Sequence, residues 1–184
     1  MDEPAPQRPA PHPSAPSGRL VDITLDEATI RQVSPEIAME QRTAIHDLLL
    51  DNAFTPVADA QTGGDYKLAL SLRDGRLVFA ITRAASEGDG EDVEAAKTLT
   101  HALSLTPLRR VMRDYWAIFE SYTENAAHMS PAQLEAIDMG RRGAHDEGAA
   151  ILAERLEGKI VLDKATARRL FTLICALQWR GPLR

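Results

Sequence analysis

Arginines are concentrated at the start of one helix that the sequence predicts. Thr106-Pro107 begins this helix, and Arg109, Arg110 and Arg113 fall in its first two turns. The amino end of a helix carries partial positive charge, so each basic side chain there costs roughly 0.3–1 kcal/mol. An anion held jointly by the free N–H groups and the guanidinium groups would offset that cost. The alternative is a solvated surface on which nearby acids, such as Asp114 at i,i+4 to Arg110, neutralise the arginines.

A second polar stretch, residues 135–148, combines acids, arginines, a histidine and glycines. Arg141 and Arg142 from this stretch join the candidate anion-binding set. In a helix, polar and small side chains would occupy opposite faces. The glycines then indicate close approach of another element, which we favour, or a kink near Gly143 that presents the polar cluster to a ligand. The polar face is Glu135, Asp138, Arg142, His145 and Asp146, and the small face is Gly140, Ala144 and Gly148.

Two histidines are the candidates for acid–base catalysis. His101 lies among leucines on the inner face of a predicted strand, and burial readily tunes an imidazole near neutral pH. His145 would act with Glu135, Asp138 or Asp146. The structural alternatives are a core histidine satisfied by a neighbour and a salt-bridged helix face. His145 with Glu135 and Asp138 matches no metal-ligand spacing, so we predict no metal and no cofactor.

Other reactive or stacking side chains give weaker signals. Cys175 lies in the apolar run Leu-Ile-Cys-Ala-Leu, where a thiol is usually inert. No Gly-x-Ser-x-Gly elbow is present, so covalent catalysis has little support. Trp116 falls off the main apolar face of its helix. It would stack a base or meet a partner protein, or else form the edge of the core.

The charge distribution limits the partners. The 184 residues carry a net charge of −6. Residues 1–95 hold 17 acids and 8 bases, whereas residues 96–184 hold 10 acids and 13 bases. This balance argues against bulk coating of a polyanion but leaves room for a local site in the second half, for an anionic ligand, RNA or an acidic protein. No apolar run approaches the ~20 residues of a membrane span, so we predict no membrane partner.

The elements that must position these residues follow from periodicity and turn chemistry. Alternating apolar residues on both sides of Asp74-Gly75 predict a hairpin with Leu72 opposite Leu77. The order β-α-β-β-β-α-α-β-α predicts an α+β fold, with a mostly antiparallel sheet packed against three to four helices. That sheet is a β-hairpin meander plus an N-terminal strand. We see no βαβ alternation and no Gly-rich phosphate loop. The predicted strands are 20–25, 66–72, 77–81, 98–105 and 159–162, and the predicted helices are 34–52, 107–127, 130–156 and 163–179.

The domain organisation follows from composition. Residues 1–18 are Pro-rich and predict a disordered tail. Residues 19–181 predict a single α+β domain, interrupted by a flexible acidic loop at 84–96. The tail lacks the features of a signal peptide, because its start is acidic and no apolar segment follows.

Four segments carry a family resemblance that extends over about residues 19–181. The chain resembles an uncharacterised bacterial family of small cytosolic proteins of the UPF type, which has no known activity. The resemblance implies a bacterial, cytoplasmic, single-domain protein and assigns no site residue. The segments are Arg19-Leu-Val-Asp-Ile-Thr-Leu-Asp26, Ser104-Leu-Thr-Pro-Leu-Arg-Arg110, Glu135-Ala-Ile-Asp-Met-Gly-Arg-Arg-Gly143 and Ala167-Arg-Arg-Leu-Phe-Thr-Leu-Ile174.

Two functional hypotheses follow. The first is a non-enzymatic binding or regulatory module whose arginines (Arg109, Arg110, Arg113, Arg141 and Arg142) contact the anionic partner. The second is a small enzyme that uses His101 or His145 with the acids of residues 135–146. We favour the first, because the sequence shows no catalytic constellation.

Overall fold

The computed structural model describes residues 16–26, 35–84 and 97–178. Residues 1–15 of the predicted tail and nearly all of the predicted acidic loop lie outside these residues, as does Trp179. The predicted tail boundary was wrong at its end, because Gly18 is the first residue of a strand and is held by a hydrogen bond to Thr55. Six strands and four helices occur in the described parts. They are β1 (Gly18–Leu25), α1 (Pro35–Leu50), β2 (Phe54–Pro56), β3 (Gly64–Arg73), β4 (Arg76–Arg83), β5 (Thr98–Ser104), α2 (Arg109–Asn125), α3 (Pro131–Leu156), β6 (Ile160–Leu162) and α4 (Lys164–Gln178).

The α+β prediction is confirmed, and the central hairpin has the predicted register. Asp74 and Gly75 both adopt positive φ, 51° and 71°, as a two-residue hairpin turn requires. Leu72 therefore pairs with Leu77, and Leu70 pairs with Phe79. The main sheet has the order β1-β3-β4-β5, with antiparallel pairing from β3 through β5. Its inner face is apolar and buried, so the hairpin fixes which residues meet the helices.

The N-terminal strand joins the sheet in a way that the sequence analysis missed. β1 pairs parallel to β3, and α1 lies between them in the chain. The prediction that no βαβ arrangement occurs was therefore wrong for this part of the fold. The register shifts between Leu20 and Asp22, at a bulge. This bulge lets Leu20 and Ile23, three positions apart, both reach the core.

The helices form a layer on the inner face of the sheet. Within this layer α4 packs between α1 and α3, and α2 packs on the far side of α3. A helix with neighbours on both sides and a sheet beneath must be apolar over most of its surface. Nine of the fifteen α4 residues are buried, including Leu170, Phe171 and Cys175. This confirms the prediction that the last helix lies in the core. No helix among the described residues has the length and apolar character of a membrane span.

A short second sheet was only half predicted. The strand expected at 159–162 is β6, which pairs antiparallel with β2 rather than joining the main sheet. β2 is only three residues long, too short for an alternating pattern, so its sequence gave no strand signal. Thr55 in β2 is 1% exposed, and its Oγ1 accepts hydrogen bonds from the N–H groups of Ser17 and Gly18. The small sheet thereby anchors the start of β1.

The long helix α3 is continuous. It begins with a capping box between Ser130 and Gln133, and it continues through Gly143 without a break. The close-approach explanation holds at Gly148, where an added Cβ would overlap the ring of Phe171 in α4. A Cβ added at Gly143 would meet no neighbouring atom, so packing does not explain a glycine at this position.

Candidate functional site

The arginines at the start of α2 divide into one paired and two unpaired side chains. Arg110 binds Asp114 on its own helix at 3.4 Å and also binds Glu147 on α3. Arg109 and Arg113 are exposed, and neither forms an ion pair with any described residue. They lie at i,i+4, on the same side of the helix. We call Arg109 and Arg113 the α2 arginine pair.

The backbone at this helix start differs from the expected anion site. A 3₁₀ turn, Thr106–Leu108, precedes α2. The Leu108 N–H donates to the Leu105 carbonyl at 3.1 Å, and the Arg109 N–H donates to the Thr106 carbonyl. The first N–H groups are therefore occupied, so any anion here would be held by guanidinium groups.

Arg141 and Arg142 do not extend the α2 arginine pair. Both bind the carboxylate of Asp138 on the same helix, Arg141 at 2.9 Å and Arg142 at 2.7 Å. The hydrogen bond from Arg141 is the main reason that the pKa of Asp138 lies below its ordinary value, and the charge of Arg142 adds to it. This is the salt-bridged helix face that the sequence analysis gave as the structural alternative.

His145 is half-buried beside aromatic side chains of the core. Its ring lies 5.3 Å from that of Tyr115 and 6.4 Å from that of Phe171, measured between centroids. The Nε2 atom lies 3.3 Å from the Thr172 hydroxyl, which itself donates to the Arg168 carbonyl. Because that hydroxyl has a single proton, Nε2–H is the donor to it. Burial, reinforced by the charges of Arg168 and Arg141, lowers the pKa of His145 to about 4.

His101 occupies a different environment from His145. It lies in β5 opposite Phe79 and is half-buried. Burial is the main cause that lowers the pKa of His101, and the charge of Lys159 acts in the same direction. His101 thus lies on β5 and His145 on α3, and the described contacts of the two side chains involve different residues.

The acids proposed as partners of His145 are not arranged for proton transfer. Glu135 is exposed and ten residues away along α3, a rise of about 15 Å. Asp138 is held by the two arginines, and Asp146 binds Lys164 and Arg168, each at 3.4 Å. Among the described residues, no group of three or more histidine, cysteine or acidic side chains could hold a metal ion.

Trp116 and Cys175 belong to the core. Trp116 is 6% exposed and packs edge-on against Tyr115 and Phe119, at 5.3 and 5.2 Å between centroids. The core-edge explanation therefore holds, and the tryptophan is not presented to a partner. Burial raises the pKa of the Cys175 thiol well above its ordinary value, which disfavours the reactive thiolate.

Several polar contacts were not predictable from spacing. Arg110 reaches Glu147 from 37 positions away, and Arg169 binds Asp51 at 2.9 Å from 118 positions away. Asn52 hydrogen-bonds both the N–H and the carbonyl of Leu20. A lone Asn at the end of a helix was the only available signal for this last contact.

Comparison with known proteins gives one family. Residues 17–180 match the model of the family described as "Uncharacterised protein family (UPF0262)". A UPF0262 protein of Brucella anthropi is 54% identical over 168 residues, which is 91% of this chain and 98% of that protein. UPF0262 proteins of Brucella suis and Brucella canis are each 52% identical over 166 residues, 90% of this chain and 97% of theirs. No solved structure matches the chain.

Proposed function

The chain belongs to the uncharacterised protein family UPF0262, and on this premise we propose that it is a non-enzymatic binding module of the bacterial cytoplasm. Its α2 arginine pair, Arg109 and Arg113, contacts an anionic group of the partner. Of the five arginines that the sequence singles out, the proposal retains these two as the binding residues.

The uncompensated charge of the α2 arginine pair carries this proposal. Like charges at i,i+4 destabilise a helix by roughly 0.2–0.5 kcal/mol. Arg109, in the first turn of α2, adds a cost of roughly 0.3–1 kcal/mol at low ionic strength. Arg110, between them in sequence, has two carboxylates within reach, whereas the pair has none among the described residues. A bound anion would offset both costs.

The geometry favours a compact anion over an extended one. Two guanidinium groups one helical turn apart suit a single phosphate or carboxylate group, which arginine recognises through paired N–H donors. RNA would require a longer basic track, and the net charge of −6 disfavours one. The binding partner is therefore expected to be a phosphorylated ligand or an acidic protein segment.

The catalytic alternative has no supporting geometry. A general base near neutral pH needs a pKa close to 7 and reach to a substrate. His145 is neutral within an aromatic cluster with a pKa of about 4, and His101 lies on another element. We therefore do not assign acid–base roles to either histidine.

Titration of the protein with defined anions tests the proposal. We expect pyrophosphate or a hexaglutamate peptide to bind wild-type protein at low salt, as measured by calorimetry. The double variant Arg109→Ala/Arg113→Ala should lose at least tenfold in affinity. Binding should also weaken with added salt, because the contact is electrostatic.

Arg110→Ala is the matched control. It removes one positive charge from the same part of the helix, but that charge is already neutralised by two carboxylates. Its affinity should stay within about twofold of wild type. The proposal is wrong if neither probe binds, if the double variant binds as wild type does, or if a twelve-nucleotide RNA binds more tightly than both probes.

A further inference from the structure

The two edge strands of the main sheet, β1 and β5, differ in how they are protected against pairing with another chain. At β1, the bulge after Leu20 interrupts the strand. The Asn52 side chain accepts from the Leu20 N–H at 2.6 Å and donates to the Leu20 carbonyl at 3.0 Å, while Thr55 binds Ser17 and Gly18. Bulges and covering groups are the usual protection of an edge strand against pairing with another chain. The β1 edge is thus protected against strand pairing around Gly18 and Leu20.

Among the residues that the structure describes, the β5 edge shows none of these protections. Its seven residues, Thr98–Ser104, contain no charged residue, proline or glycine. The register with β4 is unbroken along its whole length. Within the described ranges, β4 is the only strand beside it. A regular, uncharged edge strand of this length is a template for a further strand.

The hairpin register identifies the backbone groups on that edge. Two-residue hairpins place a hydrogen-bonded pair next to the turn, here Arg73 and Arg76. Bonding alternates along antiparallel strands, so Leu77, Phe79 and Ile81 bond to β5 through its odd-numbered residues. The N–H and carbonyl groups of the even-numbered residues of β5 therefore point away from the sheet. These residues are Thr98, Thr100, Ala102 and Ser104.

We propose that β5 pairs antiparallel with β5 of a second copy of this chain, across a two-fold axis at His101. This register places Thr98 opposite Ser104 and Thr100 opposite Ala102 of the other copy. Both are hydrogen-bonded pairs, because the outward groups belong to these residues. His101 is the middle residue of the strand, so all seven residues are paired.

The side chains on the inner face fit a second copy. Leu99 is only partly buried at the sheet edge, whereas Leu103 is 5% exposed. In the two-fold pairing Leu99 of one copy lies opposite Leu103 of the other, which continues the apolar layer across the axis. No like charges face each other along the strand, since β5 has no charged residue. Burial and then the charge of Lys159 lower the pKa of His101, which favours the neutral imidazole. The strand is therefore complementary to itself.

Molar mass in solution tests the pairing. Light scattering after size-exclusion chromatography should give about twice the 20.2 kDa of one chain. Ala102→Pro removes an outward N–H, which an edge strand tolerates within its own fold. This variant should have the mass of one chain and retain wild-type far-UV circular dichroism. Ala102→Ser, the matched control, keeps the N–H group and should remain a dimer.

Cross-linking tests the register without relying on proline. Directly opposed residues of a non-hydrogen-bonded pair have Cα atoms ~4.5 Å apart, within the range of a disulfide. His101→Cys should therefore form a dimer-linking disulfide with oxidised glutathione. Thr98→Cys, which lies opposite Ser104, should not, and Cys175 is buried and does not compete.

A wild-type mass of one chain, or a dimer that His101→Cys fails to cross-link, overturns the proposal. The double variant Arg109→Ala/Arg113→Ala should still form the dimer. Failure of anion binding and failure of strand pairing are therefore separate results.

Discussion

At the scale of single residues, the immediate surroundings decide what a polar side chain can do. Arg110 and Arg113 lie in the same helix turn, yet Arg110 is bound by two carboxylates and Arg113 by no described one. His145 has acids at nearby sequence positions but contacts aromatic rings and Thr172 instead. Residue type alone therefore does not show which polar side chains already have a partner in the fold.

Gly148 should tolerate no side chain. Gly148→Ala places a methyl group against Phe171, which is completely buried, so we expect a loss of about 1–3 kcal/mol in the free energy of unfolding. Gly143→Ala on the same helix meets no neighbour and should gain roughly 0.5–1 kcal/mol. Urea denaturation measures both. Equal effects of the two variants would contradict the close packing of α3 on α4.

His145 should make the protein sensitive to acid. The pKa of His145 is about 4 in the folded chain, whereas the ordinary value of 6.5 applies to the unfolded chain. Between these pH values only the unfolded chain takes up the proton. The stabilising contribution is complete above pH 6.5 and falls as the pH drops toward 4. His145→Gln should reduce the slope of unfolding free energy against pH in this window. An unchanged slope would show that other groups cause the acid sensitivity.

At the scale of elements, single polar side chains form hydrogen bonds with backbone groups near the ends of helices and strands. Asn52 follows α1 and connects three carbonyl or N–H groups, two on Leu20 of β1 and one on Leu48 of the helix. Thr166 in α4 accepts from the Ala53 N–H at 2.8 Å and is completely buried. These contacts fix α1, β1 and α4 relative to one another, and they involve residues without any periodic signal.

Asn52→Ala should destabilise the fold. Leu20 is 1% exposed, so its N–H and carbonyl would lose their partner in a dry environment, at a cost of about 1–3 kcal/mol. Asn125→Ala is the control, because that side chain bonds one exposed carbonyl at the end of α2. Its effect should stay within about 0.5 kcal/mol in the same urea experiment. A similar loss in both variants would contradict the role of Asn52.

At the scale of the whole molecule, ion pairs neutralise many of the arginines of the basic second half. Acids from the same half bind most of its candidate arginines, and Asp51 from the first half binds Arg169. Among the described residues, the α2 arginine pair has no such partner. The molecule is also asymmetric, with a protected edge at β1 and helices on one face of the sheet.

The sequence by itself determined the local structure. Asp74-Gly75 set the hairpin register, Ser130-Pro131 set the start of α3, and the apolar α4 indicated a core helix. Each depends on interactions within a few residues, which spacing records. Only the tertiary structure decided that β1 runs parallel to β3, that β2 exists, and that Arg110 meets Glu147. These contacts join residues far apart in the chain, where sequence spacing carries no information on distance, so burial and charge pairing could not be assigned beforehand.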